Sequence, residues 1–516
     1  MTTPMTTWVE HVSLVPPSLS DNTADADRLL AALRKTFGIG TIPIDMSLLR
    51  LLPDRLRQWG YRARCLVFSD GSTAHLAGLT AADDHRPMAG LAVDLGTTMI
   101  AIRLIDLGTG RAMAESSFEN PQTARGDDIL TRIHFAEGTD DGLTRLHRLT
   151  LEGLNAAVSG LCRANGLSAE DVYLVALAGN TTMTHFFLNL PARWLIREPY
   201  IPVVNEPGII RAADLGMAVN PLARVYVFPN IGSYFGGDLV SGILYSGLAR
   251  GDRTCLLVDV GTNAEVVFGN RDWLIACAGA AGPALEGGVT SIGAKAGPGV
   301  IHRLALDPET HLITTETING LPPKGICGSA LIDLVAGLFT AGILDIRGKL
   351  TGDRHGRIVD NDGIREFVVV PAEASATGRP LALSQPDIDN LIRSKAAMYT
   401  ILRTLTTTVG LSFDDIDTFY VAGTFGSLIN PRSAITIGML PDLPMEKFTV
   451  LGNSSLEGAA MVLSSRGPIR EIPEIKKRLT YLELNVNQDF MNRFSAAKFL
   501  PHTDVSRFPS VTVPRQ

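Results

Sequence analysis

Apolar positions along the first twenty residues follow no period, and the chain opens as a polar leader. Order begins at ADADRLLAALRKTFG and continues in IDMSLLRLLPDRLRQWG, where leucines recur at helical spacing and predict two helices. YRARCLVFSDG then reads as a strand, and the polar AADDHRPMAG as a linker. Residues 1–88 are therefore expected to form a small N-terminal α/β domain with its linker.

From Leu91 the texture changes to strand, turn, strand, turn, strand: LAVDLGTTMI, AIRLID, LGTG and RAMAESSFEN. Gly108 and Gly110 give the backbone freedom that a hairpin needs, which predicts antiparallel pairing. A helix follows from Gly126 to Ala136 with Ile129, Leu130 and Ile133 on one face. Another runs through LHRLTLEGLNAAVSGLCRANG, with Gly166 as its stop. DVYLVALAG is a continuous apolar run, the pattern of a buried strand.

At residue 256 the chain repeats itself. LLVDVGTNAEVVFGN places Asp259, Gly261 and Thr262 165 positions after Asp94, Gly96 and Thr97. That period is too long for a solenoid and predicts two similar α/β halves, 89–254 and 255–516, with a cleft between them. SQPDIDNLIRSKAAMYTILRTLTT predicts a long helix whose Ser384 and Asp387 form a capping box, with Ile388, Leu391, Ile392, Met398, Leu402 and Leu405 inside. DTFYVAGTFGSLIN and FTVLGNSSLEGAA are two more strands that end in glycine turns.

Length and composition narrow the class. A chain of 516 residues exceeds one ordinary core, so two or three domains are expected. The 45% hydrophobic content and 50 glycines fit an α/β protein rich in tight turns. A net charge of −7 argues against a nucleic-acid partner. MTTPMTTWVE has neither the basic nor the apolar region of a signal peptide. GSALIDLVAGLFTAGIL is shorter than a membrane span needs and carries Asp333, so it reads as a buried core helix. No membrane partner and a cytoplasmic location are the expectation. Cys65, Cys162, Cys255, Cys277 and Cys327 lie far apart without a paired motif, and predict no iron–sulfur cluster in this chain. Cys162, Cys255 and Cys327 read as packed thiols, and His185 as a satisfied helix histidine.

The turns suggest chemistry. Glycines after a strand let backbone N–H groups close around a phosphate, and threonine hydroxyls add donors. An aspartate just before such a turn is compatible with phosphate when a hydrated Mg²⁺ lies between them. One such turn is also an ordinary hairpin; two at equivalent places of a duplicated chain point to a metal–nucleotide. No P-loop and no complete dinucleotide fingerprint is present.

LAVDLGTT, LVDVGTN, VAGTFG and the late glycine turn resemble the nucleotide site of the acetate and sugar kinase, Hsp70 and actin superfamily. NPQTARGDDILTRI, AGNTTMTHFFL, CAGAAGPALEGG, GICGSALIDL, VAGTFGSLINPRSAITIGMLPDLP and LGNSSLEGAA resemble the reductive activators of corrinoid proteins, across residues 91 to about 505. Residues 1–88 resemble that family's middle domain. The resemblance implies a duplicated actin-like ATPase of two ribonuclease H-like α/β halves around a nucleotide cleft. It further implies an ATP-dependent return of inactive Co(II) corrinoid protein to Co(I) for methyl transfer, and a homodimer. Relatives in that family carry an iron–sulfur domain that these residues lack, so a separate iron–sulfur protein is expected to deliver the electron.

By motif position, Asp94 and Asp259 would hold Mg²⁺ through water, or one of them would orient the attacking water. Gly96, Thr97, Thr98, Gly261, Thr262 and Asn263 would donate to the phosphates of ATP. Gly282, Glu286, Gly423, Thr424 and Gly426 fall at the adenosine end. Asn180 is a candidate catalytic group that follows a buried strand, although Asn-Thr-Thr is also a good helix start. The role of Lys295 stays open. Three other readings share the fold: a small-molecule kinase, a non-redox ATP-gated binding protein, and an activator of 2-hydroxyacyl-CoA dehydratases, for which paired cysteines would be wanted.

Overall fold

The computed structural model describes residues 7–38, 40–261, 264–279, 290–352, 356–423, 426–482, 484 and 488–514. They form two compact units: Met1–Tyr245 with Ser454–Lys477, and Ser246–Asn453 with Arg478–Gln516.

Unit one begins with strands β1 (Val9–Ser13), β2 (Arg62–Ser69) and β3 (Ala74–Ala81), an antiparallel sheet with β2 central. Helices α1 (Asp25–Phe37) and α2 (Met46–Gln58) bury Leu29, Leu33, Leu48, Leu52 and Leu56 against it. Both helices and β2 follow the predicted pattern. Strands β1 and β3 were not predicted: β1 buries only Val9 and Val12, three residues apart and so on opposite faces, which gives no strand period to stand out from a polar leader. The Trp8 indole N–H donates to Val462 O at 2.8 Å, and Arg466 pairs with Glu10 at 2.6 Å. These contacts fix the N-terminal lobe to the rest of unit one.

The main sheet of unit one contains β4 (Ala89–Leu95), β5 (Met99–Asp106), β6 (Arg111–Glu119), β7 (Val172–Gly179), β8 (Gly208–Arg211) and β9 (Arg224–Val227). Its order is β6-β5-β4-β7-β9-β8. β4 runs antiparallel to β5 and parallel to β7, a central strand that is buried and apolar except at Asp94. Helices α3 (Ile129–Gly138), α4 (Gly142–Ala164), α5 (Thr181–Phe187) and α6 (Gly237–Ser246) complete this stretch. Leu130 departs from expectation: the face of α3 centres on buried Ile133, which turns Leu130 outward, 55% exposed.

Unit two opens with β10 (Cys255–Val260), β11 (Ala264–Gly269) and β12 (Leu274–Gly279). Two small three-stranded sheets follow, β13 (Val300–Leu306) with β14 (Ile313–Thr317) and β15 (Gly325–Ile326), and β16 (Ile358–Asn361) with β17 (Ile364–Val370) and β18 (Leu381–Ser384). Between them lies α7 (Gly328–Thr340), the apolar helix expected to be core, which buries Leu331, Leu334, Val335 and Leu338. Then come α8 (Gln385–Thr408), β19 (Thr418–Ala422), α9 (Pro431–Thr436), β20 (Phe448–Gly452) and β21 (Leu479–Tyr481). The predicted capping box on α8 is present, and all six predicted apolar residues of that helix are buried.

The main sheet of unit two is ordered β20-β19-β10-β11-β12-β21. Counted within each half, both sheets share one arrangement. The first strand is central, the second and third lie to one side in antiparallel pairing, and two later strands lie to the other in parallel pairing, β7 then β9 in unit one and β19 then β20 in unit two. The duplication read from two strings of letters is thus a duplication of topology. Each half ends one extra strand away from five, at opposite edges.

Helix α10 (Ser454–Ser464) follows β20 in sequence but belongs to unit one, where it packs on β4, β5 and β7. All five cysteines are buried, and none is in a disulfide. Among the described residues no helix is long and apolar enough to cross a membrane.

Candidate functional site

In unit one the carboxyl ends of parallel strands β4, β7 and β9 gather the candidates, the edge where open α/β sheets place their ligands. Asp94 stands one residue before the end of β4 and accepts a hydrogen bond from Ser455 Oγ at 2.8 Å. Gly96 opens the turn. A Cβ there would come within 2.4 Å of Met99 O, so the turn accepts glycine alone. Two asparagines hold the turn from either side. Asn120 Nδ2 donates to Gly96 O at 2.9 Å and its N–H to Thr98 O at 2.8 Å, while Asn180 Nδ2 donates to Thr97 Oγ1 at 3.0 Å. The resulting loop is half-buried and braced on both flanks.

Asn180 is the helix start that its sequence allowed, and its side chain also reaches the turn. Its Oδ1 accepts from Met183 N at 2.9 Å, the N-cap bond of α5, while its amide reaches the turn. His185 is buried, with Nδ1 on Thr181 O at 2.7 Å and Nε2 accepting from Val203 N at 3.0 Å. That pair of bonds sets one neutral tautomer, and burial lowers its basicity further.

Four groups at this edge escaped the sequence reading. Asn120 sat within a string already singled out, but nothing in the letters marks it as a brace. Ser455 lies at the start of α10, far along the chain from Asp94. Asp238 begins α6, and its Oδ1 accepts from Leu239 N at 2.8 Å. Burial, with the Asp94 carboxylate adding to it, pushes the Asp238 carboxyl up to about 7. Asn230, just past β9, is wholly buried, and neither polar atom of its amide has a partner among the described residues. The nearest signal for the last two was the glycine-rich NIGSYFGGDL, which resembles no catalytic string taken alone.

Unit two repeats the plan. Asp259 stands one residue before the end of β10, opposite Glu265 on β11 and Ala422 on β19, as Asp94 stands opposite Ala101 and Ala178. Gly423 follows β19 with φ near 90°, and a Cβ there would lie 2.7 Å from Asp259 Oδ1 and 2.6 Å from Val260 O. In unit one Gly179 takes the corresponding place, where a Cβ would lie 2.9 Å from Leu95 O. Glycine ends the neighbouring parallel strand in both halves for one reason: it must pass against the carbonyl that follows the aspartate. Gly423 N–H donates to Gly452 O at 2.9 Å, which ties the turns after β19 and β20 together, and Gly426 packs on Val421. Gly261 follows β10 directly. Thr262, Asn263, Gly282, Glu286 and Thr424 lie outside the described residues.

Cys327 is buried with Sγ 3.0 Å from Ser329 Oγ, a packed thiol as expected, and Lys295 is exposed. Among the described residues no three ligating side chains converge as a metal cage.

Two sheets of one strand order, each presenting an aspartate and a glycine turn at the same place, define the actin-like ATPase class of fold. The chain belongs to the RACo family of reductive activators of corrinoid proteins. The family's C-terminal domain, the ASKHA domain, matches residues 253–512, its middle region 89–251 and its linker region 4–86. The middle region therefore falls on 89–251, and residues 1–88, which the sequence likened to it, correspond to the linker. A solved reductive activator for a corrinoid, iron–sulfur protein matches with a TM-score of 0.88 at 38% identity, over 99% of this chain and 82% of that one. Corrinoid activation enzyme RamQ of Eubacterium limosum is 29% identical over 422 residues, 80% of this chain and 70% of that protein. The Co(II) methylated amine-specific corrinoid protein reductase of Methanosarcina barkeri is 23% identical over 436 residues, 78% and 76% of the two.

Proposed function

We propose that this protein is an ATP-dependent reductive activator that returns a Co(II) corrinoid protein to Co(I), with the electron supplied by a separate iron–sulfur protein. The observation that carries this reading is the likeness of 99% of the chain to a reductive activator for a corrinoid, iron–sulfur protein. Its relatives by sequence bear names of the same activity.

Phosphoryl transfer needs positioning and charge stabilisation more than covalent help. In unit one, Gly96, Thr97 and Thr98 would receive phosphate oxygens, with Asn120 and Asn180 keeping the turn in one shape. In unit two, Gly261 would do the corresponding work, together with Thr262 and Asn263; Gly282, Glu286, Gly423, Thr424 and Gly426 would meet the adenosine. The donor set suits Mg²⁺. Asp94 and Asp238 are hard oxygen donors whose mutual repulsion a cation would relieve, and the small number of side chains suits an ion that keeps most of its waters. When bound, the ion neutralises phosphate charge; Asp94 and Asp259 would hold it through water, and Ser455 would keep Asp94 aimed.

ATP can drive an uphill reduction only by favouring one state of the partner over another. Reversing a ratio of about 1:99 takes on the order of 5.5 kcal/mol of differential binding. An anaerobic optical assay with Mg²⁺, a low-potential ferredoxin and a candidate corrinoid protein tests the reading. The Co(I) spectrum is expected only when ATP is present, with hydrolysis accelerating once the Co(II) protein is added. Transfer of the phosphoryl group to a sugar or acid would move the protein to the kinases. Asp259→Asn should abolish hydrolysis and leave the circular dichroism spectrum unchanged; near-normal ATPase activity in that variant would sink the site assignment.

A further inference from the structure

Arg132, on α3, is wholly buried. Its Nε donates to Gly126 O at 2.8 Å, and Nη1 reaches Gln122 Oε1 at 3.3 Å and Met183 Sδ at 3.5 Å. Its other terminal nitrogen, Nη2, has no hydrogen-bond partner among the described residues. All three of these partners are neutral. Asp127 and Asp128 are the nearby acids, both exposed, and Asp128 has its oxygens on the Thr131 N–H and hydroxyl. A buried cation without a bonded counter-ion is costly, and burial draws this guanidinium down to about 10.

The residues that Arg132 touches lead to the turn by two routes. Gln122 N–H donates to Asn120 Oδ1 at 3.0 Å, and Asn120 holds Gly96 and Thr98. Met183 N–H donates to Asn180 Oδ1 at 2.9 Å, and Asn180 holds Thr97. One guanidinium thus underlies both asparagine arms of the same loop.

We propose that Arg132 is a positioning cation for phosphate binding at residues 96–98, setting both asparagine arms and placing a bare positive charge behind the turn. The inference rests on the nucleotide reading of the site. It goes beyond it by predicting that affinity through Arg132 scales with phosphate charge, because a charge screened only by protein acts at a longer range than one in water.

Calorimetric titration of the full chain with MgATP, MgADP, AMP and adenosine separates this from a structural role. Arg132→Met should weaken MgATP at least tenfold, MgADP less, and adenosine by under twofold, with Arg132→Lys recovering most of the loss. Gln122→Glu supplies the missing counter-ion while keeping the arginine, and should lower MgATP affinity in the same graded way even if Arg132→Met does not fold. Equal weakening of all four ligands, or undiminished MgATP binding in both folded variants, overturns the proposal. A wild-type protein that binds none of the four overturns the nucleotide reading itself.

Discussion

Asp94 shows how much of a site hangs on one side chain being held. Its carboxylate accepts from the Ser455 hydroxyl at 2.8 Å, and the Ser455 carbonyl in turn accepts from Ser241 Oγ at 2.7 Å. A hydrogen bond to an ionised acceptor is worth roughly 1.5–3 kcal/mol. If it acts only on the reacting arrangement, Ser455→Ala lowers ATP hydrolysis about tenfold or more, since each ~1.4 kcal/mol is tenfold in rate. The check is steady-state phosphate release beside a thermal melt. A stable variant with wild-type turnover means that Asp94 needs no such hold. The aspartates themselves were legible because a repeated motif marks its own members. Ser455, Asn120 and Asp238 were not, because what qualifies them is closeness to a residue elsewhere in the chain: 361 positions separate Asp94 from Ser455. Asn230 was not, because only burial marks it.

At the scale of elements, the strands that end in glycine turns were legible, and their reason is now geometric. Gly423 has φ near 90° and faces both Val260 O and the Asp259 carboxylate. Alanine there meets about 1–2 kcal/mol of backbone strain and a steric overlap besides. Gly423→Ala should therefore lower the melting temperature and cut MgATP affinity at least tenfold. Gly160→Ala is the control, since it sits inside α4 with open space around it and should stabilise by about 0.5–1 kcal/mol. Unchanged binding by Gly423→Ala would remove this turn from the site. Long periodic helices such as α4 and α8 were read correctly because their apolar faces repeat many times. Strands β1 and β3 were missed because neither alternates: β1 buries two positions three apart, and β3 is rich in small residues, Ala74, Ala77, Gly78 and Ala81, that carry little strand signal. The outward turn of Leu130 was missed because a ten-residue helix does not fix its own face from the letters alone.

At the scale of the molecule, the tail of unit two offers a pH test away from any phosphate. His502 is buried beside Tyr399, its Nδ1 accepting from Asp504 N at 2.9 Å. Lys395 lies next to it, wholly buried, with its ammonium nitrogen on Pro501 O at 2.7 Å and on Phe499 O. Burial, then the positive charges of Arg507 and Lys395, draws His502 down from 6.5 to about 4. The unfolded chain thus takes up this proton first as pH falls. The stability that neutral His502 contributes is complete above about 6.5 and is lost as pH drops toward 4. Scanning calorimetry across that window should show a falling melting temperature in the wild type and a shallower fall in His502→Asn. Equal slopes would dismiss the histidine as the source.

The placement of α10 has a consequence for how the protein is made. It packs on β4, the strand that carries Asp94, yet nearly all of unit two is encoded between them. During synthesis the first sheet emerges early and lacks that helix until residue 464 has left the ribosome. Domains usually fold as they appear, first part first. Here the first unit cannot be finished until most of the second has been made, so nearly the first half of the chain must wait with an uncovered apolar face, and a fragment ending at Tyr245 would lack the helix that covers it.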